Sequence, residues 1–303
     1  MSLSEDFKET LEEKLLELVW RQWRTLGLPS HGPESGHLLD VEVLILAAAV
    51  MAEYDHRLWT GALEWLSQSR EWVNRSRLNR IAEAYIKPDR SLNAPLVEKH
   101  IWQEAISSIS PLSSSSAAAS NKSRDDQVNT RPPLKKPSLL QLNLRGVFGV
   151  NARAELYLYL KTKGEGNSNQ IAREIQYDQK NIYLILERWA DAGFVSKENR
   201  GKRNIYSLEA GKKLTPSLDT ANPFWEWSVF YALFLRLHVA AHRKPWASDS
   251  YLLSSFFKDL YPQSARLAKS AGISLPDPQL YPGEQYFAPA SLALQSLFIA
   301  IAD

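Results

Sequence analysis

At 303 residues the chain has room for two or three domains, and with ten Trp and twelve Tyr it is too rich in large aromatic side chains to be disordered. The absence of Cys excludes disulfides, thiolate zinc sites and Cys nucleophiles together. A net charge of only +2 excludes a globally basic polyanion binder, so any such surface has to be local.

Residues 1–13 are acidic and polar, unlike a secretory leader, and the uninterrupted apolar run at 43–52 is too short to span a bilayer. A cytoplasmic protein without membrane contact is expected. Residues 4–26 have helical periodicity, with Leu11, Leu15, Leu18, Val19 and Trp23 on one face and Glu12, Glu13 and Glu17 elsewhere. Asp40 suits the N-cap of a second helix over 41–54, apolar nearly all round and therefore central. Further helices are predicted over 56–68, over 76–86 with a stripe of Leu78, Ile81, Ala82 and Tyr85, and over 94–109 with Pro95 in the first turn. Arg70, Arg75, Arg77 and Arg80 read as a solvated basic face, a contact to nucleic acid being the alternative.

Composition changes abruptly at 111–137, where SSSSAAAS, NKSRDDQVNT and RPPLKKP offer almost no large apolar residues to offset the entropy of ordering. This is read as a flexible linker, with Arg131, Lys135 and Lys136 at its basic end. Asn151 then suits the cap of a helix through residue 163, and KGEGN (163–167) breaks it. Asn167 or Ser168 caps a short helix over 169–175 with Ile171, Ala172 and Ile175 inward. Gln176-Tyr177-Asp178 forms a turn, and Asp178 caps a third helix to 192 whose buried stripe is Ile182, Ile185, Leu186 and Trp189. Gly193 stops it. A strand over 194–197, a polar tip ENRGKRN (198–204) and a returning strand over 205–208 complete a hairpin. The chain is aromatic and helical again over 224–242, closed by Pro245, and shorter helices follow over 249–261, 263–271 and 288–302.

The stretch SNQIAREIQYDQKNIYLILERWADAGFV with its basic hairpin resembles the winged helix-turn-helix transcription factors of prokaryotes, of the arsenic-repressor and multiple-antibiotic-repressor type. The resemblance covers about a quarter of the chain. It implies that the IAREI helix supports, that the next helix reads the major groove, and that AGFV leads into the wing. Leu184 departs from the pattern, because many relatives carry Arg in the middle of that helix. A helix lying in the major groove presents its outward N-terminal residues to base edges, here Gln179, Lys180, Asn181 and Tyr183. Gln and Asn pair with adenine and Lys with guanine, while Tyr reaches phosphate or a thymine methyl. Lys197, Arg200, Lys202 and Arg203 on the hairpin suit phosphates or the minor groove. Between Leu142 and Leu214 thirteen Lys and Arg stand against eight Asp and Glu, so basic charge is concentrated in this segment.

The expected fold is mostly α. An N-terminal helical domain (1–110), the linker (111–137), a central winged helix of three helices and a hairpin (138–216) and a C-terminal helical domain (217–303) for dimerisation or sensing make up the chain. The expected function is sequence-specific binding of double-stranded DNA by a homodimeric transcriptional regulator, with a protein or small-molecule effector at a flanking helical domain. No enzyme activity, cofactor or metal is expected. The rivals are an antitoxin-like or defence-operon regulator that binds a protein partner, a winged-helix interaction scaffold, and a helical ribonuclease using the R-x5-H pair Arg236 and His242. His238 and His242 stand four apart on one helix, a spacing read as packing or surface rather than metal binding, because no carboxylate motif is near.

Overall fold

Apolar spacing at three and four places the helices, and side-chain caps start most of them. A computed structural model describes residues 3–110, 132–209, 226–243 and 249–302. Residues 111–131 of the expected linker lie outside the described residues, as do Phe224, Trp225 and Pro245. The described chain is mostly helical with one small antiparallel sheet.

The N-terminal half comprises α1 (Leu3–Thr25), α2 (Val41–Val50), α3 (His56–Ser69), α4 (Arg75–Ile86) and α5 (Lys99–Ile109). Asp40, Asp55 and Asn74 cap α2, α3 and α4 by accepting hydrogen bonds from first-turn amides. The expected helix over 94–109 begins only at Lys99, because Asp89 and Ala94 form a β-bridge that holds the preceding segment in a turn.

Every residue of α2 is buried. A helix apolar all round needs cover on more than one side, and the cover comes from both ends of the chain. The C-terminal helices are α10 (Trp227–His242), α11 (Ser250–Asp259), α12 (Tyr261–Ala271) and α13 (Phe287–Ala302). Phe230, Phe234 and Leu237 of α10 and Leu297 and Ile301 of α13 join Leu15, Val19 and Trp23 of α1 and Ile45 and Leu46 of α2 in one core. Polar contacts bind the same halves: the Trp227 indole donates to the Leu38 carbonyl at 2.5 Å and the Tyr231 hydroxyl to Gln22 Oε1 at 2.9 Å. The two flanking regions separated in the sequence therefore share a single body. Gly283–Ala302 is long and apolar enough to cross a membrane, but half of that stretch is buried in the protein's own core.

Between the halves lies the central unit: α6 (Leu140–Phe148), α7 (Ala152–Lys163), β1 (Glu165–Gly166), α8 (Ser168–Ile175), α9 (Gln179–Asp191), β2 (Val195–Arg200) and β3 (Arg203–Leu208). Its core of Leu156, Leu160, Ile171, Ile175, Ile182, Leu186, Val195 and Tyr206 is separate from that of the body. Helix α6 bridges the two, with Leu142 in the body core and Leu140 and Leu144 packed with Tyr157 and Leu158 of α7. The segment before it is docked too, since Leu134 packs on the body and Lys136 pairs with Glu34 at 2.5 Å.

The sheet corrects two readings. Its order is β1-β3-β2, so the Gly-rich break after α7 supplies a third strand, with Gly166 opposite Tyr206. A Cβ on Gly166 would come within 2.9 Å of Ile171 Cγ1, so only glycine allows this strand to lie so close to α8. The expected seven-residue tip is mostly strand. Pairing runs out to Arg200 opposite Arg203, and the turn is Gly201-Lys202 alone, with Gly201 at φ +68°. Positive φ at the first of two loop residues is what a tight hairpin turn requires of glycine.

Candidate nucleic-acid interface

Helix α8 ends at Gln176, which adopts the left-handed conformation at φ 61°. This reverses the chain within three residues, and Asp178 restarts it by accepting from the Asn181 amide at 3.0 Å. Helix α9 lies with Ile182, Ile185 and Leu186 inward. Gln179, Lys180, Asn181, Tyr183, Leu184 and Arg188 are exposed on its other side. Lys197, Arg200, Lys202 and Arg203 are exposed along the hairpin. Among the described residues, neither surface is covered by the helical body.

The predicted residues divide by what holds them. Lys197 forms an ion pair with Glu187 of α9 at 2.8 Å, and the Tyr206 hydroxyl donates to the same carboxylate at 2.6 Å. Hydrogen bonds from Lys197 and then Tyr206 hold the Glu187 carboxyl below its ordinary range. These contacts brace the hairpin against α9. Arg200 meets Glu165 of β1 in a two-pronged pair at 2.6 and 3.0 Å and also contacts Glu198. Hydrogen bonds to Glu198 and Glu165 raise its guanidinium further above its ordinary value. Gln179 donates to Ser168 Oγ at 3.1 Å. Lys180, Asn181, Lys202 and Arg203 have exposed side chains and, among the described residues, no such brace. Arg203 shares a cleft of about 190 Å³ with Arg173, Asn167, Asn169 and Gln170 of the α8 start. Arg173 was not among the predicted residues, although its position beside the inward Ile171 and Ala172 marks it as outward.

Of the arginines read as a solvated face, Arg77 proves otherwise, while Arg80 stays exposed. Arg77 is buried, and its guanidinium contacts Asp40 and Glu42 at 2.6 Å and donates to the Ile175 carbonyl at 2.9 Å. Arg80 donates to the Gln176 carbonyl at 3.2 Å. Both therefore close the C-terminal end of α8, where free carbonyls and the helix dipole favour cations. Arg77 was misread because it lies one position from Leu78 at the edge of a buried stripe, and periodicity alone does not resolve an edge.

Arg145 of α6 completes the junction. It is buried and contacts Glu42 at 2.7 Å, Glu155 at 2.5 Å and the Trp72 carbonyl at 2.6 Å. Burial alone would raise the Asp40 carboxyl, but Arg77 beside it and Arg145 beyond hold it below its ordinary value. Burial would likewise lower both guanidiniums, yet the carboxylates around them raise them instead. Tyr177, in the α8–α9 turn, donates to Glu155 at 3.3 Å and accepts from Asn74 Nδ2 at 2.8 Å. The network thus ties α2, α4, α6 and α7 to the reversal that sets the direction of α9.

Arg236 and His242 face different partners. Arg236 lies 3.0 Å from Asp89, and His242 Nε2 lies 2.6 Å from Glu12. Six positions on a helix are about 240° of rotation, so the two do not converge. A larger cleft of about 880 Å³ opens between α1 and α3, where Glu13, Glu17, Asp55 and Glu64 surround Trp20. No protein-family model, curated protein or solved structure matches the chain.

Proposed function

We propose that the central unit is a winged helix-turn-helix that reads double-stranded DNA, with α9 in the major groove and the β2–β3 hairpin against the adjoining backbone. The observation that carries this reading is the uncovered surface formed by Lys180, Asn181, Tyr183, Lys202 and Arg203, all exposed on a unit whose opposite side is anchored to the body. A major groove about 12 Å wide admits one α-helix. Arg173 and Arg203 line one cleft with Asn167, Asn169 and Gln170, and the two guanidiniums suit a backbone phosphate there. The protein acts as a homodimeric transcriptional regulator, because one recognition helix reads few base pairs and paired half-sites supply the rest. An effector bound to the body influences DNA through the Arg77 and Arg145 junction only to the extent that it favours one placement of α9 over another.

Selection of bound duplexes from a random pool supplies the cognate site. On that site, the double variant Lys202→Glu/Arg203→Glu is expected to weaken binding to all duplexes and flatten the dependence on salt. Asn181→Ala is expected to relax preference at one position, by about 1–3 kcal/mol of discrimination. Unchanged duplex binding in both variants would overturn the docking. Exposed Tyr183 and Leu184 on α9 also favour a second reading, an apolar protein partner on the same face. That reading predicts association insensitive to salt and no selected duplex.

A further inference from the structure

His238, in the middle of α10, is fully buried, and among the described residues neither of its ring nitrogens has a hydrogen-bond partner. A buried polar group without a partner is costly, so native proteins rarely keep one without an ion or water to meet it. Its surroundings are not those of an inert packing residue. One turn along, the His242 ring lies 4.2 Å away between centroids, and the Tyr54 ring meets both imidazoles edge-on at 4.5 and 4.9 Å. From α1, Glu12 reaches the same place, and its carboxylate with the two imidazoles puts three ligand atoms within 4.8 Å of one another.

The hydrogen bonds set the tautomer. His242 Nδ1 lies 2.8 Å from the His238 carbonyl oxygen, which can only accept, so Nδ1 carries the proton. The Nε2 lone pair of His242 then faces Glu12 Oε2 at 2.6 Å. Two electron-rich atoms at that separation share a proton, and a metal ion can take its place once they move apart. A ring N–H given to a backbone carbonyl is how metal-bound histidines are oriented. The buried His238 ring has no hydrogen-bond partner among the described residues and so has a lone pair to offer a ligand bond.

We propose that Glu12, His238 and His242 form a binding site for one divalent transition-metal ion of the Zn(II) type, tying α1 to α10. Two imidazoles and one carboxylate suit Zn(II), Co(II) or Ni(II) rather than Mg(II) or Ca(II), which prefer oxygen alone. Three protein ligands leave a fourth position for water. With metal–ligand bonds of about 2.0–2.1 Å, tetrahedral donors lie about 3.3 Å apart. The Glu12–His242 pair has to open to that spacing, and the Glu12 side chain, 35% exposed, is free to rotate and gives the ion its way in.

The test uses the full chain, stripped by a chelator and titrated with Co(II) and then Zn(II). One equivalent is expected to bind, with the intense visible absorption of tetrahedral Co(II) and a rise in Tm on adding Zn(II), and Mg(II) is expected to do neither. His242→Ala is expected to weaken Zn(II) binding at least a hundredfold. Glu12→Ala, a partly exposed position that leaves the fold intact, is expected to weaken it at least tenfold. His238→Phe fills the same space with an apolar ring and is expected to keep the helical circular dichroism while losing the Co(II) spectrum. No saturable binding up to millimolar Zn(II), or binding of unchanged strength in both Glu12→Ala and His242→Ala, overturns the site.

Discussion

At the scale of residues, the hairpin is less free than its basic composition suggests. Arg200 is held by Glu165 and Glu198, and Lys197 by Glu187. A phosphate approaching Arg200 has to displace a carboxylate already in place. Exposed pairs of this kind are weak, about 0–1 kcal/mol, so the exchange is accessible. Glu165→Gln removes the competitor and one negative charge from the proposed DNA face. It is expected to tighten duplex binding severalfold and to steepen the plot of log K against log salt by about one. Unchanged affinity and slope in a filter-binding titration would mean that Arg200 stays off the duplex. None of these pairings was legible in the sequence, because Glu165 and Arg200 meet only when β1 joins the sheet.

At the scale of elements, the junction between α4 and α8 governs where α9 lies. Arg77→Ala leaves Asp40 buried without the guanidinium it pairs with, while Glu42 keeps Arg145. Breaking one partner of a buried ion pair costs about 3–5 kcal/mol, and urea denaturation is expected to show a loss of that size. Asp40→Asn keeps the N-cap of α2 and removes only the charge, so it isolates the electrostatic part. Because the folded Asp40 carboxyl is lowered, its stabilisation is complete above the unfolded value of about 3.9 and disappears as the pH falls through the lower folded one. The stability difference between the native chain and Asp40→Asn is therefore expected to be level near neutral pH and to shrink in acid. A difference that grew on acidification would contradict this account. The cap itself was readable, since Asp before an apolar run is a local signal. The ion pair was not, because its partner lies on another helix.

At the scale of the whole molecule, the body is built from both ends of the chain. Phe230, Phe234 and Leu237 cover α1 and α2, and each fully buried side chain of this size contributes about 1.5–3 kcal/mol. Residues 1–110 alone are expected to lose that cover, bind a hydrophobic dye and melt without a sharp transition. A cooperative melt of that fragment, followed by near-ultraviolet circular dichroism, would show that the N-terminal helices stand by themselves. The separation into two flanking helical domains rested on composition, and the segment at 111–137 does differ in composition. Yet a linker in sequence says nothing about whether the pieces it joins pack together, and here its last residues, 132–137, lie against the body.

The sequence by itself determined most of the helices, the caps at Asp40, Asn151, Asn167 and Asp178, the turn before α9 and the outward residues of that helix, because periodicity and capping act between neighbours a few positions apart. Only the tertiary structure decided which charges are buried, which basic side chains are already paired, and that Glu12 meets His242 across 230 positions of chain. Those outcomes depend on which faces come together, and a helical stripe shows that a face is buried without showing what buries it.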